Sequence, residues 1–224
     1  MAVDLTVSEE EMEESNSAPS LREGYIGPVD LQFIELDEVG DDETPVIRFS
    51  FECQDEEHIG QTFDHLEWPI TEDDIETVDS NGVSNAEIEL RRLVHMLPRL
   101  LAVDEQTVRE NIVRFQGETT SEAWESLRKR VYQAYEKFGP SGEVENGNVH
   151  AKVFARERNG YVNANFGKYP GFLRVVGEDP KLEFTNWERQ RNREAQQFLQ
   201  EEPDGDDDFM AEDEDDFDFD DAEF

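Results

Sequence analysis

At 224 residues the chain has room for one domain of ordinary size with appendages, because single domains usually run to about 100–150 residues. Its 57 acidic against 20 basic residues give a formal charge of −37, which favours solubility and, taken alone, argues against nucleic acid or anionic membrane as a partner. A single cysteine, Cys53, excludes an intrachain disulfide framework and disfavours a thiolate metal site.

The first stretch, MAVDLTVSEEEMEESNSAPS, is acidic and polar and lacks the basic start and apolar run of a signal peptide. Residues 1–20 therefore read as a disordered acidic arm. No apolar run approaches the roughly 20 residues of a membrane span, so a soluble, cytoplasmic protein is expected.

From Gly24 the pattern changes to alternation. YIGPVDLQFIELDEV, PVIRFSFEC and QTFDHLEWPI predict three β-strands in a meander. In the second, Ile47, Phe49 and Phe51 share one face, and Val46, Arg48 and Ser50 share the other. A helical block follows over residues 85–139. NAEIELRRLVHMLPRLLAV has helical period, with Pro98 expected to kink or end it, and Asp104 is a candidate N-cap for the next segment. TTSEAWESLRKRVYQAYEKFG carries a stripe of Trp124, Leu127, Val131, Tyr135 and Phe138 that ends at Gly139-Pro140. Strand character returns in VHAKVFARERNGYVNANFGKYPGFLRVVG, where Asn159-Gly160 between alternating runs predicts a hairpin. A polar helix, NWERQRNREAQQFLQ, leads into the tail.

The expected fold is mainly β with a helical insertion: an α+β, OB-like five-stranded barrel over residues 21–200 with helices between strands 3 and 4. Closure would remove the sheet edges that an open meander leaves exposed. An unrelated α+β sandwich is the alternative.

Two stretches depart from the bulk composition. The first is the tail, residues 201–224, which holds fifteen acidic residues and no Lys or Arg, leaving −22 for residues 1–200 out of the total of −37. Such a segment cannot bury a core and reads as disordered. Phe209, Phe217, Phe219 and Phe224 have no purpose in a purely solvating tail, so Phe217, Phe219, Asp220, Asp221, Glu223 and Phe224 are expected to be gripped by a partner surface. The second stretch is residues 147–177. Lys152, Arg156, Arg158, Lys168 and Arg174 there face only Glu157, a local charge of +4. Phe154, Tyr161, Phe166, Tyr169 and Phe172 are interleaved with them. Single-stranded nucleic acid needs this mixture, because cations track phosphates while rings stack on bases at about 1–3 kcal/mol each. Alternation sets Lys152, Phe154, Arg156 and Arg158 on one strand face, with Val153 and Ala155 toward a core. The competing reading makes the cations a solvated face and the rings core.

A tethered polyanion at high effective concentration can occupy a cationic groove whenever nucleic acid does not. The tail and the hairpin thus account for each other. With DFDFDDAEF at its end, LREGYIGPVDLQFIELDEV and PVIRFSFEC near its start, and NVHAKVFARERNGYVNANF later, the chain resembles the small OB-fold single-stranded DNA-binding proteins of bacteriophages and related viruses. The likeness covers about residues 21–70, 147–177 and 201–224. It implies protection of replication or recombination intermediates and recruitment of polymerase, helicase or primase through the tail, with a homo-oligomer as a further option.

Other chemistry finds little support. No glycine loop of the phosphate-cradling kinds occurs. Cys53, His58 and His65 lack the second cysteine or paired histidines of a zinc site, and EPDGDDDF lacks the glycine and closing glutamate of an EF-hand. Carboxylates are too numerous to single out a catalytic pair, and no nucleophile has a base beside it. No enzyme activity, cofactor or metal is expected. Arg128-Lys129-Arg130 reads as a solvated helix face, and Trp68 and Trp187, which could serve as stacking groups, read as buried because that is the commoner fate of tryptophan. The rivals are an acidic DNA mimic or inhibitor, a virion assembly protein using the tail as an interaction arm, and a nuclease.

Overall fold

The structure, a computed structural model, describes residues 19–158 and 160–201, with the backbone alone at Arg158. The acidic arm up to residue 18, the Arg158 side chain, Asn159, and the tail with Phe217, Phe219, Asp220, Asp221, Glu223 and Phe224 lie outside the described residues.

The predicted meander is formed by β1 (Tyr25–Val39), β2 (Thr44–Cys53) and β3 (Thr62–Glu67), all antiparallel. Ile47, Phe49 and Phe51 point into the core as alternation requires. β1 is unusually long and bulged, its register shifting between Leu31 and Phe33. A bulge bends a strand and tightens its twist. Its consequence here is that β1 serves two neighbours: Val29–Val39 pairs with β2, while Tyr25–Pro28 pairs with β4 (Val149–Arg158). β4 continues through a turn at Gly160, φ 81°, into β5 (Tyr161–Phe166). The chain then folds back so that β6 (Leu173–Val175) pairs with the start of β4.

The result is a mixed α+β fold built on a six-stranded antiparallel sheet of order β3-β2-β1-β4-β5, with β6 also on β4. The expected five-stranded closed barrel is corrected in this respect. Among the described residues no backbone ladder joins β3 to β5, and rings fill the seam instead. Phe63 and His65 of β3 lie with ring centroids 5.6 and 4.8 Å from Phe166 of β5, and Phe166 stacks on Phe172 at 4.4 Å. Aromatic side chains of this size hold two edges together while keeping their backbones out of hydrogen-bond range.

Between β3 and β4 lie α1 (Glu72–Glu76), α2 (Asn85–Leu100), α3 (Glu105–Thr107) running into a π-helical turn over Val108–Ile112, α4 (Thr120–Phe138) and α5 (Gly142–Glu145). Thr71, Ser84, Asp104, Thr119 and Ser141 each cap a helix by accepting an N–H, the usual use of these side chains. Pro98 sits in the last turn of α2, which ends two residues later at Leu100. α4 packs on β1 and β2 through Trp124, Leu127 and Val131, and the Trp124 indole donates to Pro45 O at 2.7 Å. Arg128-Lys129-Arg130 is not a solvated face. Arg128 is buried and donates to Asp37 O at 3.0 Å, and Arg130 donates to Ile112 O at 3.1 Å and to Arg114 O. Consecutive helical residues diverge around the axis, so each of the three meets different surroundings. The last helix, α6 (Asn186–Glu201), returns to lie against β4. No helix among the described residues is long and apolar enough to cross a membrane.

Candidate nucleic-acid interface

The register of the β4–β5 hairpin defines its two faces. Arg156 pairs with Asn163 and Phe154 with Asn165, while Tyr161 stands opposite the Arg158 backbone, so these residues share the outer face. Val153 and Ala155, with Ala164 and Phe166, occupy the inner one. Tyr161 is 63 % exposed at the hairpin tip.

α6 straddles the edge of β4 where β1 has run out. At Tyr25, opposite Val153, β1 ends, and Asn192 Oδ1 accepts the next unpaired strand amide, that of Ala155, at 2.7 Å. The approach is so close that a Cβ at Gly24 would overlap the Asn192 side chain. A bare strand edge is thereby covered. On the outer side of the strand, Glu188 meets Lys152 at 2.8 Å and the Trp187 ring meets Phe154 edge-on at 5.1 Å. On the inner side Ala195, with Phe198 and Leu199 behind it, packs on Ala155 and Val162. A cleft of about 270 Å³ between hairpin and helix is lined by Arg156, Glu157, Arg191, Glu194, Gln197, Phe198 and Glu201.

This arrangement corrects several expected roles. Phe166 is a core residue of the β3–β5 seam, out of reach of any base. Phe154 is buried under Trp187, and Lys152 is neutralised by Glu188. Lys168 donates to Asn85 Oδ1 at 3.1 Å and lies 5.9 Å from the ring of Tyr169, at the start of α2. Arg174 Nε donates to Pro180 O at 3.3 Å. The expected residues thus divide into a hairpin group, Arg156 with Tyr161, and a group near α2, Lys168 with Tyr169. Sequence reading missed the contribution of α6: Arg189, Arg191 and Arg193 lie on one helix, and Arg191 stands 5.3 Å over the ring of Trp187. Neither Trp187 nor Trp68 is buried, at 44 % and 49 % exposed. Three arginines at alternate positions beside a tryptophan were the available signal, but they fall outside the basic window that ends at residue 177.

Electrostatics elsewhere run the other way. On the outer face of β1–β3, Arg48 is surrounded by Glu35 at 3.3 Å, Asp37 and Asp64, with Ser50 donating to Asp64 at 2.6 Å. Asp37 is held below the usual carboxylate range, chiefly by its hydrogen bond from Arg48. Phe33 is exposed on this acidic face.

A second polar cluster is buried where β3 meets α2. His65 Nε2 lies 2.9 Å from Glu67 Oε1 and 2.8 Å from Arg92 Nη2. One imidazole nitrogen cannot donate to the first and accept from the second at once, so each tautomer makes only one of the two hydrogen bonds. Burial holds His65 neutral, outweighing the pull of Glu67. For Glu67, burial opposes ionisation, but Arg92 and His65 together hold its pKa below the ordinary value. Nearby Glu89 is pushed up to about 8, first by burial and then by the charges of Glu67 and Asp74. Comparison of the chain with protein-family models, with curated proteins and with solved structures finds no match in any of the three, so the site is read from its own residues and geometry.

Proposed function

We propose that the chain binds single-stranded DNA with little sequence preference along the outer face of the β4–β5 hairpin and the helix beside it. The observation that carries this reading is the reversal of charge. Within a chain of −37, residues 147–177 carry +4, and Arg191 of α6 lines one cleft with Arg156 of that same hairpin, whose tip carries the exposed ring of Tyr161. Arg156 and Arg191 meet phosphates in this account, and Tyr161 accepts bases. The group near α2, Lys168 with Tyr169, is a second candidate contact. Supporting the reading is the strand order β3-β2-β1-β4-β5 with β3 and β5 side by side, which is the order of an OB barrel left open at one seam.

The tail completes the proposal. Its fifteen acidic residues, tethered at the end of α6, compete for the cationic face, and its phenylalanines recruit replication proteins when DNA displaces it. The protein then coats intermediates of viral DNA replication or recombination in the host cytoplasm without catalysing a reaction. Titrating fluorescent oligo(dT) with the full chain and with residues 1–200 tests this directly. Both forms are expected to bind, the shorter one at least about threefold more tightly, since a competing ligand lowers affinity by the fraction of sites it occupies. Equal affinities refute tail competition, and absence of binding by either form refutes the function.

The outer face of β1–β3 favours a second reading, in which the acidic surface imitates DNA for a basic DNA-binding protein. That reading requires no affinity for oligonucleotides at any salt concentration.

A further inference from the structure

The way α6 begins bears on how the face just described is regulated. Trp187 sets its ring against Phe154 at 5.1 Å, and Glu188 is buried with its carboxylate on Lys152 at 2.8 Å. Glu188 also closes a capping box, accepting the Thr185 N–H at 2.7 Å. A ring on a ring and an anion on a cation are the two contacts that a nucleotide would make at this pair of strand residues.

The attachment is slight. In the first turn only Glu188 is buried, and the apolar contacts of α6, Ala195 with Phe198 and Leu199 on Ala155 and Val162, lie farther along the helix in a cluster separate from the main core. Hydrophobic burial scales with apolar area, so this helix is held far less firmly than the sheet beneath it. Lys152 would keep an anionic partner on exchange of carboxylate for phosphate, and Phe154 would keep an aromatic one. The exchange leaves no buried charge unpaired, the outcome that makes breaking most buried ion pairs costly.

We propose that the first turn of α6 is a displaceable internal occupant of the DNA site, with Trp187 in place of a base on Phe154 and Glu188 in place of a phosphate on Lys152. This inference rests on the single-stranded DNA reading. DNA must then open the helix to reach β4, so the apparent affinity is lowered by the fraction of molecules in which it is open. Both Lys152 and Phe154 return to the site in the bound state, although the free protein covers them.

The test uses full-length protein and oligo(dT) at one salt concentration. Glu188→Gln keeps the capping hydrogen bond and removes the charge, and Trp187→Ala removes the ring. Together they are expected to tighten binding about tenfold, a shift of that size following if the open fraction rises by the same factor. Glu183→Gln, an equal change of charge at an exposed position nearby, controls for general electrostatics and is expected to change affinity less than about twofold. Hydrogen exchange provides a readout independent of mutation. Adding oligo(dT) to the wild type should speed exchange over residues 186–189, where the Arg189 N–H is held by Thr185 O, while slowing it in β5. Wild-type binding with a double variant no tighter than the Glu183→Gln control, and no faster exchange in α6, overturns the inference and leaves the function intact. Failure of every form to bind overturns the function and the inference with it.

Discussion

Replacing Arg92 by methionine is expected to cost about 3–5 kcal/mol of folding stability at pH 7, the usual range for stranding one partner of a buried ion pair. Glu67 is 3 % exposed, and Arg92 Nε stands 3.5 Å from its carboxylate. Without the guanidinium its remaining polar partner is His65, which burial keeps neutral. Urea unfolding followed by tryptophan fluorescence measures the loss, and Arg92→Met combined with Glu67→Gln should recover most of it. A loss below about 1 kcal/mol would mean that the cluster is far better solvated than its burial indicates. The same cluster has a pH signature through Glu89. Its folded pKa, about 8, lies above the ordinary 4.5, so the folded state holds the proton more tightly than the unfolded one. Stability from this group is therefore lost as pH rises from 4.5 to 8 and contributes no slope outside that window. Allowing for partial exposure, Glu89→Gln should remove about 2 kcal/mol of that decline.

Replacing both Arg156 and Arg191 by alanine should weaken oligo(dT) binding about tenfold near 100 mM salt and make its salt dependence shallower. Each phosphate contact on a single strand contributes about −0.7 to the slope of log K against log salt, so losing two should reduce it by about 1.4. The two side chains line one cleft but belong to different elements, β4 and α6. Their joint effect therefore reports whether hairpin and helix act as one surface. Neither side chain is part of the buried core, so unfolding temperatures should be nearly unchanged. An unaltered slope with unaltered affinity would remove this cleft from the binding path.

Local pattern foretold much of the fold. Alternation in PVIRFSFEC gives the buried face of Ile47, Phe49 and Phe51, and the Trp124 stripe with Gly139 gives the extent of α4. Asn-Gly marked the β4–β5 turn, and Asp104 read as a cap before any tertiary contact is known, whereas the caps at Ser84 and Thr119 are seen only in the structure. The inward placement of Phe166 was also available, since Val162, Ala164 and Phe166 alternate with Tyr161, Asn163 and Asn165. Counting rings and cations by window composition hid it. What local pattern does not encode is which distant element covers a face. Alternation correctly groups Lys152, Phe154 and Arg156, but that grouping cannot reveal that a helix beginning at Asn186 lies over them. The open seam is similar, because rings from β3 and β5 meet only after a long helical block has brought the strands together. A polar helix with few apolar residues reads as solvent-facing, and α6 docks instead through an ion pair, one asparagine, a ring on Phe154 and a small apolar cluster.

The central claim is that single-stranded DNA lies along the outer face of β4–β5 and α6. Ultraviolet crosslinking of full-length protein to an oligo(dT) carrying 5-bromouracil, followed by peptide mapping, tests it most directly. Adducts on the peptides containing Tyr161 and Phe154 are the predicted result. Adducts on the acidic face around Phe33, or no adducts at a protein concentration that saturates the oligonucleotide, would contradict it.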